Sequence, residues 1–316
     1  LRLKLISGLD IAEKRLPQDG RFNFVARGQP VDVRISTMPT QNGESVVMRL
    51  LNQSGGMLSL DRLGMSISVL EKLRHAIHRA NGMVLVTGPT GSGKTTTLYA
   101  ALSELNSTER KIITVEDPVE YMLAGINQVQ VHEHIGFTFA SALRSMLRQS
   151  PNVIMLGEIR DMETATIAIN ASLTGHLVFS TLHTNDAPSA LIRLVHMGIP
   201  PIQIASAVRL VTAQRLLRRL CPRCKHPLSN NDRNATVRYG PKGCIHCVNG
   251  YQGRIGIFEV LPMTPDLSAA LLAHTSLKGL ATICEDQGVE TLNQSGQRLV
   301  ESGLTSIEEL RRHVDF

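Results

Sequence analysis

Residues 88–95 read Gly88-Pro89-Thr90-Gly91-Ser92-Gly93-Lys94-Thr95, a match to G-x-x-x-x-G-K-[ST], and they follow the apolar run Met83–Thr87 and precede a helix-length segment, Thr95–Leu105. No other feature narrows the fold as far, because this spacing works only as strand, glycine turn and helix start in that order. Glycines let backbone N–H groups turn inward around phosphate oxygens, at a helix end whose dipole favours anions. In such a loop Lys94 reaches the β and γ phosphates of ATP, and the Thr95 hydroxyl ligates Mg²⁺. Gly88, Pro89, Thr90, Gly91, Ser92, Gly93, Lys94, Thr95 and Thr96 are the candidate nucleotide-binding residues.

The surrounding pattern agrees. Past Ser66, apolar strand-length runs (Met83–Thr87, Lys111–Val115, Val153–Leu156, Leu177–Ser180) alternate with helix-length segments over Thr95–Leu105, Thr138–Gln149, Glu163–Leu173 and Pro188–His196. That alternation predicts an α/β fold with a buried, mainly parallel sheet. The spacing also predicts a helix over 200–219, a loop-rich stretch over 221–262 that closes in the strand-like Arg254–Leu261, and a helical tail. Before the core, 21–25, 31–36 and 44–50 alternate with period two around Gly, Pro and Asn, as in an antiparallel meander. Ser54-Gly55-Gly56, within Asn52–Met65, marks the hinge. The opening Leu-Arg-Leu-Lys suggests a fragment of a longer protein.

Composition removes several classes. No apolar run approaches the ~20 residues of a membrane-spanning helix, and nothing at the start reads as a signal peptide. The net charge of +6 contains no run of five basic residues, and aromatics are only 3% with no Trp. Single-strand binders stack bases on aromatic rings, so direct nucleic-acid contact is not expected.

Hydrolysis needs groups that hold metal and orient water. In Ile112–Glu120 an apolar run delivers Glu116, Asp117 and Glu120 to its C-terminal end, where ligands of open α/β sheets bind. Val153–Leu156 leads similarly to Gly157-Glu158-Ile159-Arg160-Asp161. Glu158 stands where Asp is commoner, favouring metal contact through water. A third segment, Thr174–Asn185, places His183 after a strand and His176 before it; His176 reads as an ordinary helix-to-strand residue.

Cys221-Pro222-Arg223-Cys224 and Cys244-Ile245-His246-Cys247 are two knuckles separated by nineteen residues. Four thiolates satisfy tetrahedral Zn²⁺ with no position left open, so the expectation is a structural metal that folds a loop-rich segment, with a disulfide pair or free thiols as the alternatives. His246 reads as exposed rather than as a ligand, and Cys284 as buried and inert.

Taken together, Gly88–Thr95, Thr114–Glu120, Gly157–Asp161 and Gly175–Asn185 resemble the Walker A, Asp box, Walker B and His box of the ATPases of type II secretion and type IV pilus assembly (the GspE/PilB family). The resemblance covers nearly the whole chain. It implies a RecA-like P-loop ATPase core at 66–220, the end of a PAS-like α+β N-terminal domain at 1–52 and a linker at 53–65. It further implies a zinc-binding insert at 221–262 and a C-terminal helical region at 263–316. Secretion and assembly members carry such an insert; retraction relatives typically lack it. By resemblance Glu116 activates water, Glu158 is the Walker B glutamate and His183 lies nearest the nucleotide, although the residues themselves do not fix which glutamate is the base. Arg21, Arg34 and Arg49 resemble the arginines that approach a nucleotide held by the core, with Arg144, Arg148 and Arg160 as further candidates. A hexameric ring is implied, peripheral at the cytoplasmic face of the inner membrane, with platform and cytoplasmic-domain proteins of the machine as partners. A RecA-type nucleic-acid translocase and a non-hydrolysing, nucleotide-gated scaffold are the competing functions.

Overall fold

The computed structural model describes residues 1–26, 28–52, 58–228 and 238–314. Arg27 of the expected turn, Ser54-Gly55-Gly56 of the expected hinge and 229–237 of the cysteine-bearing segment lie outside them. The chain divides into two compact units, Leu1–Met57 and Leu58–Phe316.

The first unit holds α1 (Arg2–Ile6) and a meander of β1 (Gln18–Ala26), β2 (Gln29–Thr40) and β3 (Gly43–Asn52), paired antiparallel in the order β1-β2-β3. Val33 and Ile35 are buried, 1% and 2% exposed.

The second unit begins with α2 (Ile67–Ile77), β4 (Gly82–Thr87), α3 (Lys94–Leu105), β5 (Ile112–Glu116) and β6 (Asn127–Gln130). It continues with α4 (Phe139–Leu147), β7 (Val153–Leu156), α5 (Met162–Leu173), β8 (Leu177–Leu182), α6 (Ala187–His196), α7 (Pro201–Ala207) and β9 (Val208–Leu220). The short pair β10 (His226–Pro227) and β11 (Tyr239–Gly240) follows, then β12 (Tyr251–Pro262) and the helices α8 (Pro265–Leu272), α9 (Leu277–Asp286), α10 (Leu292–Glu301) and α11 (Ile307–Arg311).

Seven strands form one sheet in the order β12-β9-β4-β8-β7-β5-β6. The β12–β9 pair is antiparallel and the other pairs are parallel. Period-two alternation then sorts the apolar runs onto two faces. Met83, Leu85, Ile154, Leu156 and Val178 pack with α4–α6 on one side. Val84, Val86, Val153, Met155 and Phe179 pack with α2 and α3 on the other. Every residue of β4, β7 and β8 is buried, and each large apolar side chain so placed contributes about 1.5–3 kcal/mol. This is why these strands read as unbroken apolar runs.

The helix expected over 200–219 is a correction. It stops at Ala207, and 208–220 is β9, the strand seated between β4 and β12. Val-Arg-Leu-Val-Thr-Ala-Gln-Arg-Leu-Leu-Arg-Arg-Leu is rich in helix formers, and burial between two strands overrides that preference. The strand-like Arg254–Leu261 lies within β12, the edge of this same sheet, in antiparallel register with β9 from Arg254↔Arg218 to Pro262↔Leu210.

Candidate active site

Strand order assembles the motifs. β4, β8, β7 and β5 are consecutive in the sheet and parallel, so the loops after Thr87, Leu182, Leu156 and Glu116 open at one edge. The glycine loop, His183, Glu158 and the Asp box are neighbours for that reason.

In the glycine loop Gly88 has φ 148° and Gly93 φ 90°, both in the left-handed region that only glycine enters cheaply. A Cβ on Gly88 would also lie 2.5 Å from the Gln214 carbonyl oxygen, and one on Gly93 2.8 Å from Gln214 Nε2. The loop is thus fitted against β9. Lys94 Nζ donates to the Gly88 and Pro89 carbonyls at 2.7 and 3.2 Å, folding its ammonium over the loop. Burial and the Arg215 charge draw that ammonium below its ordinary range, while Glu158 opposes them. Thr97, on the next turn of α3, donates to Gln214 Oε1 at 2.7 Å.

Glu116 and Glu158 differ sharply. Glu116 is 3% exposed; Thr114 Oγ1 and Gln128 Nε2 donate to Oε1 at 2.6 and 3.2 Å, and the Tyr99 hydroxyl donates to Oε2. Both oxygens are occupied, so water reaches this carboxylate only after those donors leave. Asp117 is exposed and Glu120 half-buried. Glu158 meets Arg160, whose Nη2 donates to Oε1, and His183, whose Nε2 lies 3.3 Å from Oε2. Burial pushes the Glu158 carboxyl up, but Arg160 and His183 outweigh it, and the group sits below its usual range. Arg160 also lies 3.7 Å from Asp117 and 3.8 Å from Glu133.

Three strands fix the loop that follows His183. Thr184 N donates to Thr87 Oγ1 on β4 at 2.8 Å. Arg215 Nη2 on β9 donates to the Asn185 carbonyl at 2.9 Å, while its Nη1 donates to the Gln214 carbonyl at 3.1 Å. Ala187 N donates to Glu259 Oε1 on β12 at 2.8 Å. His176 Nδ1 lies 3.0 Å from the Ala171 carbonyl, a helix-end contact away from this loop. Arg144 pairs with Glu163, and Arg148 rests on Arg144 and Ser145 of its own helix. Sequence reasoning missed Gln214 and Arg215 because it placed a helix there, and missed Tyr99 and Gln128 because no motif marks them.

Within the first unit, Arg21 pairs with Arg34 across β1–β2 and Arg34 with Arg49 across β2–β3. Directly opposed residues share a face and like charges there repel, and one anion of this chain already meets the row. Asp32, fully buried, takes Arg21 Nε at 2.9 Å and Nη2 at 2.6 Å.

The cysteines converge. Cys221, Cys224, Cys244 and Cys247 present sulfurs all within 4.8 Å of one another, with separations of 3.9, 3.6 and 3.6 Å for 221–244, 224–247 and 244–247. A tetrahedron of ~2.3 Å zinc–sulfur bonds has edges of about 3.8 Å. The residues present therefore fit such an ion. His246 is exposed and outside the cluster, and Cys284 is buried in α9. Among the described residues no helix is long and apolar enough to cross a membrane.

Residues 1–312 match the family model described as type II/IV secretion system protein. The chain is 49% identical to the protein transport protein HofB homolog of Escherichia coli over 98% of its own length and 69% of that protein's. It is 49% identical to the type IV pilus assembly ATPase PilB of Myxococcus xanthus (98% and 57%) and 50% to the type II secretion system protein HxcR of Pseudomonas aeruginosa (98% and 65%). It thus spans about 57–69% of the length of these relatives. Among solved structures it resembles the pilus retraction motor PilT with bound ADP, at TM-score 0.71 and 29% identity over 96% of this chain and 78% of that one. The fold is shared with the Legionella pneumophila ATPase DotB, at TM-score 0.71 and 23% identity over 94% and 77%.

Proposed function

This chain belongs to the type II/IV secretion system protein family, and from that premise we propose that it is the motor portion of an ATPase that powers type II secretion or type IV pilus assembly. The observation that carries the reading is the meeting of Lys94, Glu158 and His183 at one edge of a parallel sheet. ATP would lie on the loop Gly88–Thr96, with Lys94 leaving the Gly88 and Pro89 carbonyls for the β and γ phosphates and Thr95 and Glu158 serving the magnesium. Magnesium held there would supply positive charge against the phosphates.

Glu158 is the carboxylate best placed to meet metal-bound water, with His183 on its second oxygen. Glu116, given the water-activating role by resemblance, reaches water only in a state where Tyr99, Thr114 and Gln128 have released it. Arg21, Arg34 and Arg49 would act as fingers on the transferring phosphoryl group, Arg21 on exchanging Asp32 for the triphosphate. Zinc on the four cysteines has a structural role. A hexamer, peripheral at the cytoplasmic face of the inner membrane and docked on the machine's platform and cytoplasmic-domain proteins, completes the reading. Relatives named for secretion and pilus assembly do not favour the nucleic-acid translocase.

The test is ATP turnover by the full chain beside Arg34→Ala. The variant is expected to slow turnover by about 10²-fold, less than the ~10³–10⁵ of a lone finger because two arginines remain, at nearly constant nucleotide affinity. A wild-type chain that consumes no ATP in any assembly state sinks the reading; normal turnover in Arg34→Ala sinks the finger role.

A further inference from the structure

The loop after His183 is held by three neighbouring strands, two of which, β9 and β12, carry no recognisable motif. β12, β9 and β4 are consecutive in the sheet, and each sends one polar group to it: Glu259 to Ala187, Arg215 to Asn185 and Thr87 to Thr184. Of the three, Thr87 adjoins the glycine loop through the chain, and the one that bears on it across the sheet is Arg215. It is 8% exposed; its Nη1 is tied to the Gln214 carbonyl that Gly88 packs against, and its charge is felt at Lys94. Its second hydrogen bond to Asn185, to Oδ1 at 3.4 Å, is longer than that to the carbonyl. A planar guanidinium suits this task because its donors are fixed relative to one another. His183, by contrast, has a half-exposed side chain whose Nε2 lies 3.3 Å from Glu158 Oε2. Where its imidazole stands therefore depends on where the backbone at 184–185 is held.

We propose that Arg215 is a positioning residue that sets His183 against Glu158 by clamping the Asn185 backbone to the strand supporting the glycine loop. The inference rests on the ATPase reading above and adds to it a coupling between the nucleotide loop and the His box through β9. Movement of the glycine loop on phosphate binding passes through Gln214 and Arg215 to the 184–185 backbone, and so to the imidazole.

A double-mutant cycle on the full chain tests it. ATP turnover and the dissociation constant of a fluorescent ATP analogue are measured for wild type, Arg215→Gln, His183→Ala and the double variant, with thermal melting as the check on folding. Arg215→Gln is expected to lower kcat about tenfold while the dissociation constant changes less than about threefold. In the His183→Ala background the same change should cost less than about twofold, because effects routed through one residue do not add. Equal factors in both backgrounds would mean that Arg215 acts on the phosphates or on the fold, and the proposal falls. If Arg215→Gln does not fold, Arg215→Lys, which keeps the charge but lacks the fork, is carried through the same cycle with the same criterion. A wild type without turnover removes the ATPase reading and this inference with it; turnover with additive penalties removes only the inference.

Discussion

The motif-bearing strands of the core and the cysteine segment both hold polar groups at fixed distances, by opposite means. In the core, β4, β7 and β8 are buried at every position and packed on both faces, so the apolar sheet sets where Lys94, Glu158 and His183 stand. In the segment from Cys221 to Gly250, Ile245 and Val248 are exposed at 96% and 76%, and a two-residue strand pair is its regular structure among the described residues. It is tied to the rest of the unit at its root, by Cys221 N to the Gly250 carbonyl at 2.8 Å and the Tyr251 hydroxyl to Ser306 Oγ at 2.8 Å, and further out by Lys225 Nζ to the Gly303 carbonyl at 2.8 Å. Geometry in the first region comes from burial, and in the second from four sulfurs around a point.

The largest expected effect separates chemistry from both. Lys94→Ala should lower ATP turnover by about 10³-fold, the upper end of what removing one charge-stabilising donor costs, while thermal stability changes little and four thiols still take up one zinc. A large fall in melting temperature would show that Lys94, through Gly88 and Pro89, is part of what holds the loop closed. Metal removal comes next. A strong chelator should release zinc and raise amide exchange over 221–228 and 238–250, because such an ion supplies ~10–16 kcal/mol of folding free energy to its ligands. Exchange in β4, β7 and β8 should stay slow, since their burial does not depend on the metal. If the core strands open as well, the two regions are one cooperative unit and the contrast fails.

Much of this was readable beforehand, for physical reasons that also explain the failures. Runs such as Val153–Leu156 announced themselves because a strand covered on both faces has no polar positions, and the cysteine pairs because few other arrangements tolerate that spacing. β9 hid because its leucines and arginines suit a helix until two neighbouring strands compete for them. Asn127–Gln130 hid because it is short, polar and at the sheet edge. Within the site, the motifs named Glu116 and Glu158 alike. Only the fold distinguishes a carboxylate saturated by Tyr99, Thr114 and Gln128 from one shared between Arg160 and His183, since Tyr99, Gln128 and His183 stand on other elements and nothing in Thr114 or Arg160 marks which way it turns.

Ile154→Ala probes the core side of the comparison directly. Ile154 is fully buried on β7, between β8 and β5, so truncation should cost about 2–5 kcal/mol from the lost transfer energy and the cavity left behind. Denaturant unfolding would measure it, with zinc content as the control. Loss of zinc at denaturant concentrations where the core is still folded would leave the contrast standing. Simultaneous loss would break it.

Tyr99→Phe gives the smallest effect and bears on the role of Glu116. Phenylalanine fills the same space on α3 but no longer donates to Glu116 Oε2, nor accepts from Gln128 Nε2 at 3.3 Å. Losing a buried hydrogen bond to a carboxylate should cost about 1–3 kcal/mol. If Glu158 is the carboxylate that works on water, turnover should stay within about twofold of wild type, because Glu116 then only braces α3 against β5. A tenfold rise would mean the opposite, that Tyr99 restrains a base and that releasing Glu116 is a step of the cycle. Glu116→Gln beside Glu158→Gln sharpens the same point: with Thr114 and Gln128 still in place, the first should cost less turnover than the second.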